Sequence, residues 1–257
     1  VSILRQVEWG ETGATYTPVA IFDPVELNGT TVKRASLVNT NLIKTLGLKI
    51  GSHVVVVKRG EIIPKIISVL PAAGGEELSE IEIPCKCSTC GSDLIDEGTR
   101  LYCPGKNCGK KILHQILKWV SVVDIRDLGE TLVTSLYNTQ LYSLTEQDLT
   151  PYFLDSESLE AGKKSLGAEK VYASIQSHRK VSLSKFIAGF DIEGIGEIVV
   201  ETLMSAGYNT LESMLNAREE EIASVYRFAE ILARTFVTGL AENRADMEEL
   251  VSSGAVT

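Results

Sequence analysis

The spacing of hydrophobic and polar positions divides the chain into three zones. In residues 1–70, short runs rich in Thr, Val and Ile carry the period-two pattern of half-buried strands. Strands are expected over 15–25 and 30–37, joined through Leu27-Asn28-Gly29, a hairpin signal. Asn39 is placed to cap a helix that runs to Leu46, and Gly47 to end it. Residues 54–57 are a β-branched run. Lys58-Arg59-Gly60-Glu61 makes a turn, and 62–70 returns as a strand in which Pro64 belongs at an edge or a bulge. Several short strands with one small helix predict a small all-β, OB-like Greek-key barrel; an SH3-like barrel fits nearly as well.

The middle zone opens with Pro71-Ala72-Ala73-Gly74-Gly75 and an acidic stretch to Glu82, the composition of a linker. In the third zone the period changes to that of a helix. Ile112, Leu113, Ile116, Leu117 and Val120 fall on one face. Four short units then recur about every 30 to 40 residues, the mark of a repeat architecture. Ile125-Arg126-Asp127-Leu128-Gly129 precedes a helix over 130–137, and Leu166-Gly167-Ala168 precedes 169–176. Ile192-Glu193-Gly194-Ile195-Gly196 precedes 197–206, and Tyr226-Arg227-Phe228-Ala229 precedes 230–240. The domains expected are therefore a barrel (1–70), a linker (71–84), a cysteine module (85–111) and an all-α repeat domain (112–257).

Chemistry enters with the cysteines. Cys87-Ser-Thr-Cys90 is followed, after twelve residues, by Cys103-Pro-Gly-Lys-Asn-Cys108. Each short turn presents two soft ligands, and four thiolates complete the tetrahedron that Zn²⁺ prefers. A site closed by four thiolates leaves no position for water or substrate, so the expected role is structural. Two disulfides would use the same residues. The odd count of five cysteines, and an opening with no charged leader before an apolar segment, favour metal. Cys85 is left as a free thiol, although its position two residues before Cys87 would let it substitute. His53, His114 and His178 are scattered, and none is assigned a catalytic role.

The net charge of −9 argues on its face against a nucleic-acid partner. Its distribution changes that picture. Residues 1–70 carry eight basic and five acidic side chains, whereas residues 121–257 carry eleven and twenty-two. Lys106, Lys110, Lys111 and Lys118 stand in a stretch without an acid, able to lie against phosphates or to serve as a solvated helix face. The Gly194-Ile195-Gly196 turn offers a second mode of phosphate contact. Glycines allow close backbone approach, and the following helix points its free N–H groups and positive dipole end outward. That is the logic of the helix-hairpin-helix, which grips a nucleic-acid backbone without reading sequence. Glu197 opposes an anion there. Gly129 has Asp127 where the first glycine would be, Gly167 stands alone, and the fourth unit has no glycine and is expected to have lost phosphate contact. No apolar run approaches the about 20 residues of a membrane span.

Barrel, four-cysteine module and hairpin repeats, in that order, resemble the NAD⁺-dependent bacterial DNA ligases. Gly10-Glu11-Thr12-Gly13-Ala14 with Thr17-Pro18-Val19-Ala20 is similar to the segment that opens that family's OB-fold. Lys58-Arg59-Gly60-Glu61-Ile62-Ile63-Pro64-Lys65 resembles a second segment, shortened by one residue. Val120-Ser121, Asp124-Ile125 and Leu128-Gly129 resemble the entry to its first hairpin. The resemblance implies nick sealing through lysyl-AMP and adenylated-DNA intermediates, with nicked duplex DNA as partner and a cytoplasmic, nucleoid-associated location. It gives no sign of a homo-oligomer. It further implies that this chain is the C-terminal, DNA-gripping portion. No Lys-x-Asp-Gly nucleophile motif occurs in it, so NAD⁺ and Mg²⁺ would act only through N-terminal domains, and this portion alone is expected not to self-adenylate. The expected contacts to DNA are Lys33, Arg34, Lys58, Arg59, Lys110 and Lys111 with the amides around Gly129, Gly167, Gly194 and Gly196; no catalytic residue is expected. Two departures stand out. Glu11 occupies the place of a family arginine, where a carboxylate would repel phosphate, and Val122-Val123 follow Ser121 where the family has arginine. A non-enzymatic zinc and helix-hairpin-helix module of a repair or recombination factor remains the alternative.

Overall fold

The computed structural model describes residues 1–60, 62–71, 77–139 and 146–254, with the side chain of Glu146 excepted. Glu61 of the expected turn and residues 72–76 of the expected linker lie outside them. The chain divides into two compact units, Val1–Ile112 and Leu113–Thr257.

The first unit is built on β1 (Ser2–Thr12), β2 (Thr15–Leu27), β3 (Thr30–Ser36), α1 (Thr40–Leu46), β4 (His53–Arg59) and β5 (Ile63–Val69). β2 shows most plainly why the chain folds this way. Tyr16, Pro18, Ala20 and Phe22 point inward at every second residue. The β2–β3 hairpin turns on Asn28 (φ 50°) and Gly29 (φ 73°), both left-handed, as a type I′ turn requires. Asn39 Oδ1 accepts from Leu42 N–H at 3.0 Å, and Gly47 closes α1 at φ 58°. Antiparallel pairing runs β5-β4-β1-β2, with β3 on β2, and β3 comes back against β5 to curl the sheet. Leu4, Phe22, Leu37, Val54 and Ile66 fill the interior, each less than 2% exposed. Pro64 stands on β5, which ends the sheet path, opposite Lys58 of β4, the edge setting in which proline is tolerated.

The cysteine module adds β6 (Ile95–Asp96) and β7 (Leu101–Tyr102). β7 pairs with the start of β2, Thr15 against Tyr102, so the module continues the barrel's sheet. Residues 77–84, expected to be linker, also lie along the barrel. Ile50 and Ser79 form an antiparallel bridge, and Trp9 Nε1–H donates to the Glu82 carbonyl at 3.0 Å. Asp96 fastens the module to α1. Its carboxylate accepts from Thr40 Oγ1 at 2.6 Å, Lys44 Nζ at 3.1 Å and Gly98 N–H at 2.8 Å. Burial would raise the Asp96 pKa, but these donors outweigh it and hold the carboxyl below its ordinary value. The stability it adds is present above the ordinary aspartate range and fades as acid carries the pH down through the lower folded value. Asp96→Ala is expected to cost about 1–3 kcal/mol near neutral pH, the range for a hydrogen-bonded charge, with the difference from wild type shrinking in acid. Urea unfolding of both chains at neutral and acidic pH measures it.

The second unit begins within α2 (Gly109–Val123) and continues through α3 (Glu130–Asn138), α4 (Glu146–Leu149), α5 (Ser156–Glu160) and α6 (Leu166–Ser177). Then follow α7 (Leu183–Ala188), α8 (Glu197–Ser205), α9 (Leu211–Leu215), α10 (Glu219–Ala223) and α11 (Glu230–Ser252). Two cores hold it. Val120, Leu136, Leu149 and Val171 form the smaller. Ile187, Val200, Leu203, Ile222, Phe236 and Leu240 anchor the larger, with Trp119 set edge-on to Phe186 and Phe190 beside it. Among the described residues no helix is long and apolar enough to cross a membrane.

Candidate metal centre and candidate nucleic-acid interface

The fold brings together the four cysteines singled out by spacing. The sulfurs of Cys87, Cys90, Cys103 and Cys108 all lie within 4.8 Å of one another. Local backbone explains each pair. Cys87 and Cys90 sit on a knuckle: Cys87 N–H donates to the Ser92 carbonyl, and Gly91, at φ 72°, turns back to donate to the Cys87 carbonyl. Lys86 bridges to Asp93 behind it. Cys103 follows β7, and Cys108 stands at the head of α2, where its carbonyl accepts from Lys111 and Ile112 N–H. Gly105 lies between them. A Cβ there would meet the sulfurs of Cys90 and Cys103 at 3.4 Å and Ser92 Oγ at 3.3 Å, so the backbone itself lines the cluster.

The donor set fits Zn²⁺. Sulfur separations are 3.8 Å for Cys87–Cys108 and 3.5 Å for Cys90–Cys103. A tetrahedron with Zn–S bonds of about 2.3 Å has edges of about 3.8 Å, whereas a disulfide needs about 2.05 Å. All five cysteines are free of disulfides. Charge leads to the same conclusion. Burial would raise the Cys87 thiol, but the amides of Cys90 and Thr89 and the Tyr16 hydroxyl bring it down to about 6. Burial and the neighbouring sulfurs push Cys103 up to about 12. Four thiols this close cannot all ionise against one another without a cation between them. Cys85 is exposed and stands outside the cluster, its carbonyl engaged by Leu94 N–H.

The basic residues singled out are not brought together in one way. Lys33 and Arg59 are exposed, and Lys58 and Lys111 are half-buried. Arg34 is paired with Glu8 at 2.7 Å. Lys110 departs from expectation. It is turned inward onto Glu11, Tyr16 and Ser88, and all three of its N–H donors are engaged within the protein. The same pairing accounts for Glu11, whose carboxylate meets an ammonium rather than open solvent.

Three of the four repeat units share one backbone form. In each, a left-handed residue is followed by a buried hydrophobe and then by an extended N-cap residue that no side chain caps. The trios are Asp127 (φ 62°), Leu128 and Gly129; Gly194 (φ 73°), Ile195 and Gly196; and Arg227 (φ 71°), Phe228 and Ala229. They open α3, α8 and α11, each beginning with a glutamate: Glu130, Glu197 and Glu230. The fourth unit, despite lacking glycine, keeps the turn. The Gly167 unit does not share it. Gly167 lies inside the first turn of α6, which begins at Leu166 and is capped by Ser165 Oγ accepting from Ala168 N–H at 3.2 Å. Ser165 was the available signal, a capping residue set before an apolar run.

Residues 2–77 match the family model described as the NAD-dependent DNA ligase OB-fold domain. The curled barrel thus defines the class, an OB-fold of the DNA ligase kind. Over its whole length the chain is 51% identical to the DNA ligase of Treponema denticola and 42% identical to that of Treponema pallidum. Over 95% of its length it is 34% identical to the DNA ligase of Bacillus subtilis. It covers 39%, 31% and 36% of those proteins' lengths. The chain belongs to the family of NAD-dependent DNA ligases.

Proposed function

We propose that this chain is the DNA-holding portion of an NAD⁺-dependent ligase. In that reading the parent enzyme seals nicks in duplex DNA through lysyl-AMP and adenylated-DNA intermediates in the bacterial cytoplasm, at the nucleoid. With no Lys-x-Asp-Gly motif, this portion contributes grip and leaves NAD⁺ and Mg²⁺ chemistry to other domains. Its parts are the OB-fold barrel, the four-cysteine module around a structural Zn²⁺, and a helix-hairpin-helix domain. Cys87, Cys90, Cys103 and Cys108 hold the metal, which closes the module and takes no part in a chemical step.

The observation that carries the reading is the turn repeated at Asp127–Gly129, Gly194–Gly196 and Arg227–Ala229. Each leaves the first amides of a helix without a side-chain cap, the arrangement that receives a phosphate oxygen. Lys33, Lys58, Arg59 and Lys111 supply the charge that draws the backbone in. The glutamates opening α3, α8 and α11 weaken each contact, so the grip is the sum of several modest ones.

The test is binding of a nicked duplex at two salt concentrations. Phosphate contacts predict that log K falls linearly with log salt, with a slope of about −0.9 for each phosphate neutralised. Replacing both Lys33 and Arg59 with Gln is expected to reduce the slope by about 2. No measurable binding at low salt would refute the reading.

A further inference from the structure

The four sulfur ligands do not meet solvent alike. Cys87, Cys103 and Cys108 are 3%, 1% and 1% exposed, whereas Cys90 is exposed. The fold accounts for the difference. Cys87 is drawn inward by its N–H bond to the Ser92 carbonyl, Cys103 leaves the strand β7, and Cys108 heads α2. Cys90 stands at the outer end of the first knuckle, between Thr89 and Gly91, both exposed. The nearest polar group to its sulfur is small: Ser92 Oγ lies 3.2 Å away. Toward a thiolate, which carries no proton, that hydroxyl is the donor.

The exposed sulfur has a buried sulfur beside it. Cys103 Sγ is 3.5 Å from Cys90 Sγ. Gly105 passes both, and a Cβ there would meet either sulfur at 3.4 Å, so this residue puts no side chain over the pair. Closing 3.5 Å to a disulfide bond needs a movement of about 1.5 Å. A solvent-accessible thiolate next to a second sulfur is the arrangement in which an oxidised cysteine is captured as a disulfide. Cys85 is also exposed but stands outside the cluster.

We propose that Cys90 is an oxidation site for hydrogen peroxide, with Cys103 as its resolving partner, and that this oxidation releases the metal. The proposal rests on the metal reading above. In the metal-bound chain Cys90 is a thiolate. Its sulfur attacks one peroxide oxygen: an S–O bond forms, the O–O bond breaks, and hydroxide leaves. The Cys103 thiolate then attacks the Cys90 sulfur: the S–S bond forms, the S–O bond breaks, and a second hydroxide leaves. Solvent protonates both hydroxides. Each sulfur gives up one electron and the peroxide takes two. Cys87 and Cys108 then remain as the thiolates of a site that Zn²⁺ fills with four ligands, so the ion departs.

The zinc-loaded chain, titrated with hydrogen peroxide, tests this. A chromophoric indicator reads free zinc, and peptide mass mapping reads which sulfurs are joined. Cys85→Ser is treated alongside, because it removes the other exposed thiol. In that variant about one zinc should be released per peroxide consumed. Both chains should show a Cys90–Cys103 link, an early sulfenic acid trapped at Cys90 by dimedone, and renewed zinc uptake after dithiothreitol. Zinc retained in excess peroxide would overturn the proposal. So would a link that omits Cys90 or Cys103, or a release that disappears in Cys85→Ser, since oxidation would then enter elsewhere. A chain that takes up no zinc before peroxide is added would overturn the metal reading itself.

Discussion

Cys103→Ser is expected to strip the chain of its metal and to open the cysteine module. Cys103 is 1% exposed, and its thiol is pushed up to about 12 by burial and by its neighbours. It loses its proton at neutral pH when a cation sits among the sulfurs. Serine offers no thiolate, so three ligands remain, and the affinity should fall well beyond the about 10–100-fold that follows an outer-shell change. The structural consequence is large because little else holds the module. β6 and β7 are two residues each, and its buried apolar side chains are Cys87, Cys103, Cys108 and Leu101, with Leu94 packed beside the cysteines. Structural zinc in small modules binds with an apparent free energy of about 10–16 kcal/mol, which is folding free energy when the site does not exist unfolded. Metal analysis should give about one zinc per wild-type chain and far less for Cys103→Ser, with faster amide exchange at Tyr102 and Thr15. Cys85→Ser should behave as wild type. Acid should mimic the mutation, since protons compete with the metal for the sulfurs and release it as the pH falls. Full zinc retention by Cys103→Ser would mean that the four sulfurs do not form the site.

Much of this centre was legible because metal ligation imposes spacing on the chain. Two cysteines on a Gly-ended knuckle and two around Pro104-Gly105 can converge on one point. Its setting was not legible. Tyr16, whose hydroxyl accepts from Ser88 N–H at 3.1 Å, lies 72 residues before that serine in sequence, on the strand β2 to which β7 pairs. Lys110 read as a phosphate contact because a lysine in an acid-free stretch looks exposed. Glu11, 99 residues away, claims it. In the barrel, the strands with clean alternation were readable. β1 was not, because its register shifts between Leu4 and Gln6, and a bulge breaks the period of two.

The helical unit divides in the same physical way. α3 and α8 end near where their periodicity does, but α11 runs on to Ser252 through a polar stretch in which Met247 is the only buried residue after Leu240. Glycine was a partial guide to the turns. The left-handed position is taken by Gly194 once, by Asp127 once and by Arg227 once. Aspartate tolerates that region through local hydrogen bonding, whereas an arginine there signals that surrounding packing dictates the backbone. Phe228, buried at the next position, is that packing.

Phe236→Ala is accordingly the substitution expected to hurt the helical unit most. Phe236 is fully buried in α11, with its ring edge-on to Phe228 at 6.4 Å and 80°. Removing a buried aromatic typically costs about 3–5 kcal/mol, including the cavity it leaves. The loss should not be confined to stability. Phe228 pins the Arg227–Ala229 turn, and without its partner ring that turn should loosen, exposing the first amides of α11 to faster hydrogen exchange. Nicked-duplex affinity should drop with it. Zinc content should not, because the cysteines lie in the separate unit Val1–Ile112. Urea unfolding, metal analysis and exchange on one preparation separate these effects. Phe236→Leu, which keeps most of the volume, should show the same pattern at smaller size. A loss below about 1 kcal/mol for Phe236→Ala would show that the site collapses around the missing ring, against the range for buried aromatics. A parallel loss of zinc would show instead that the two units unfold as one.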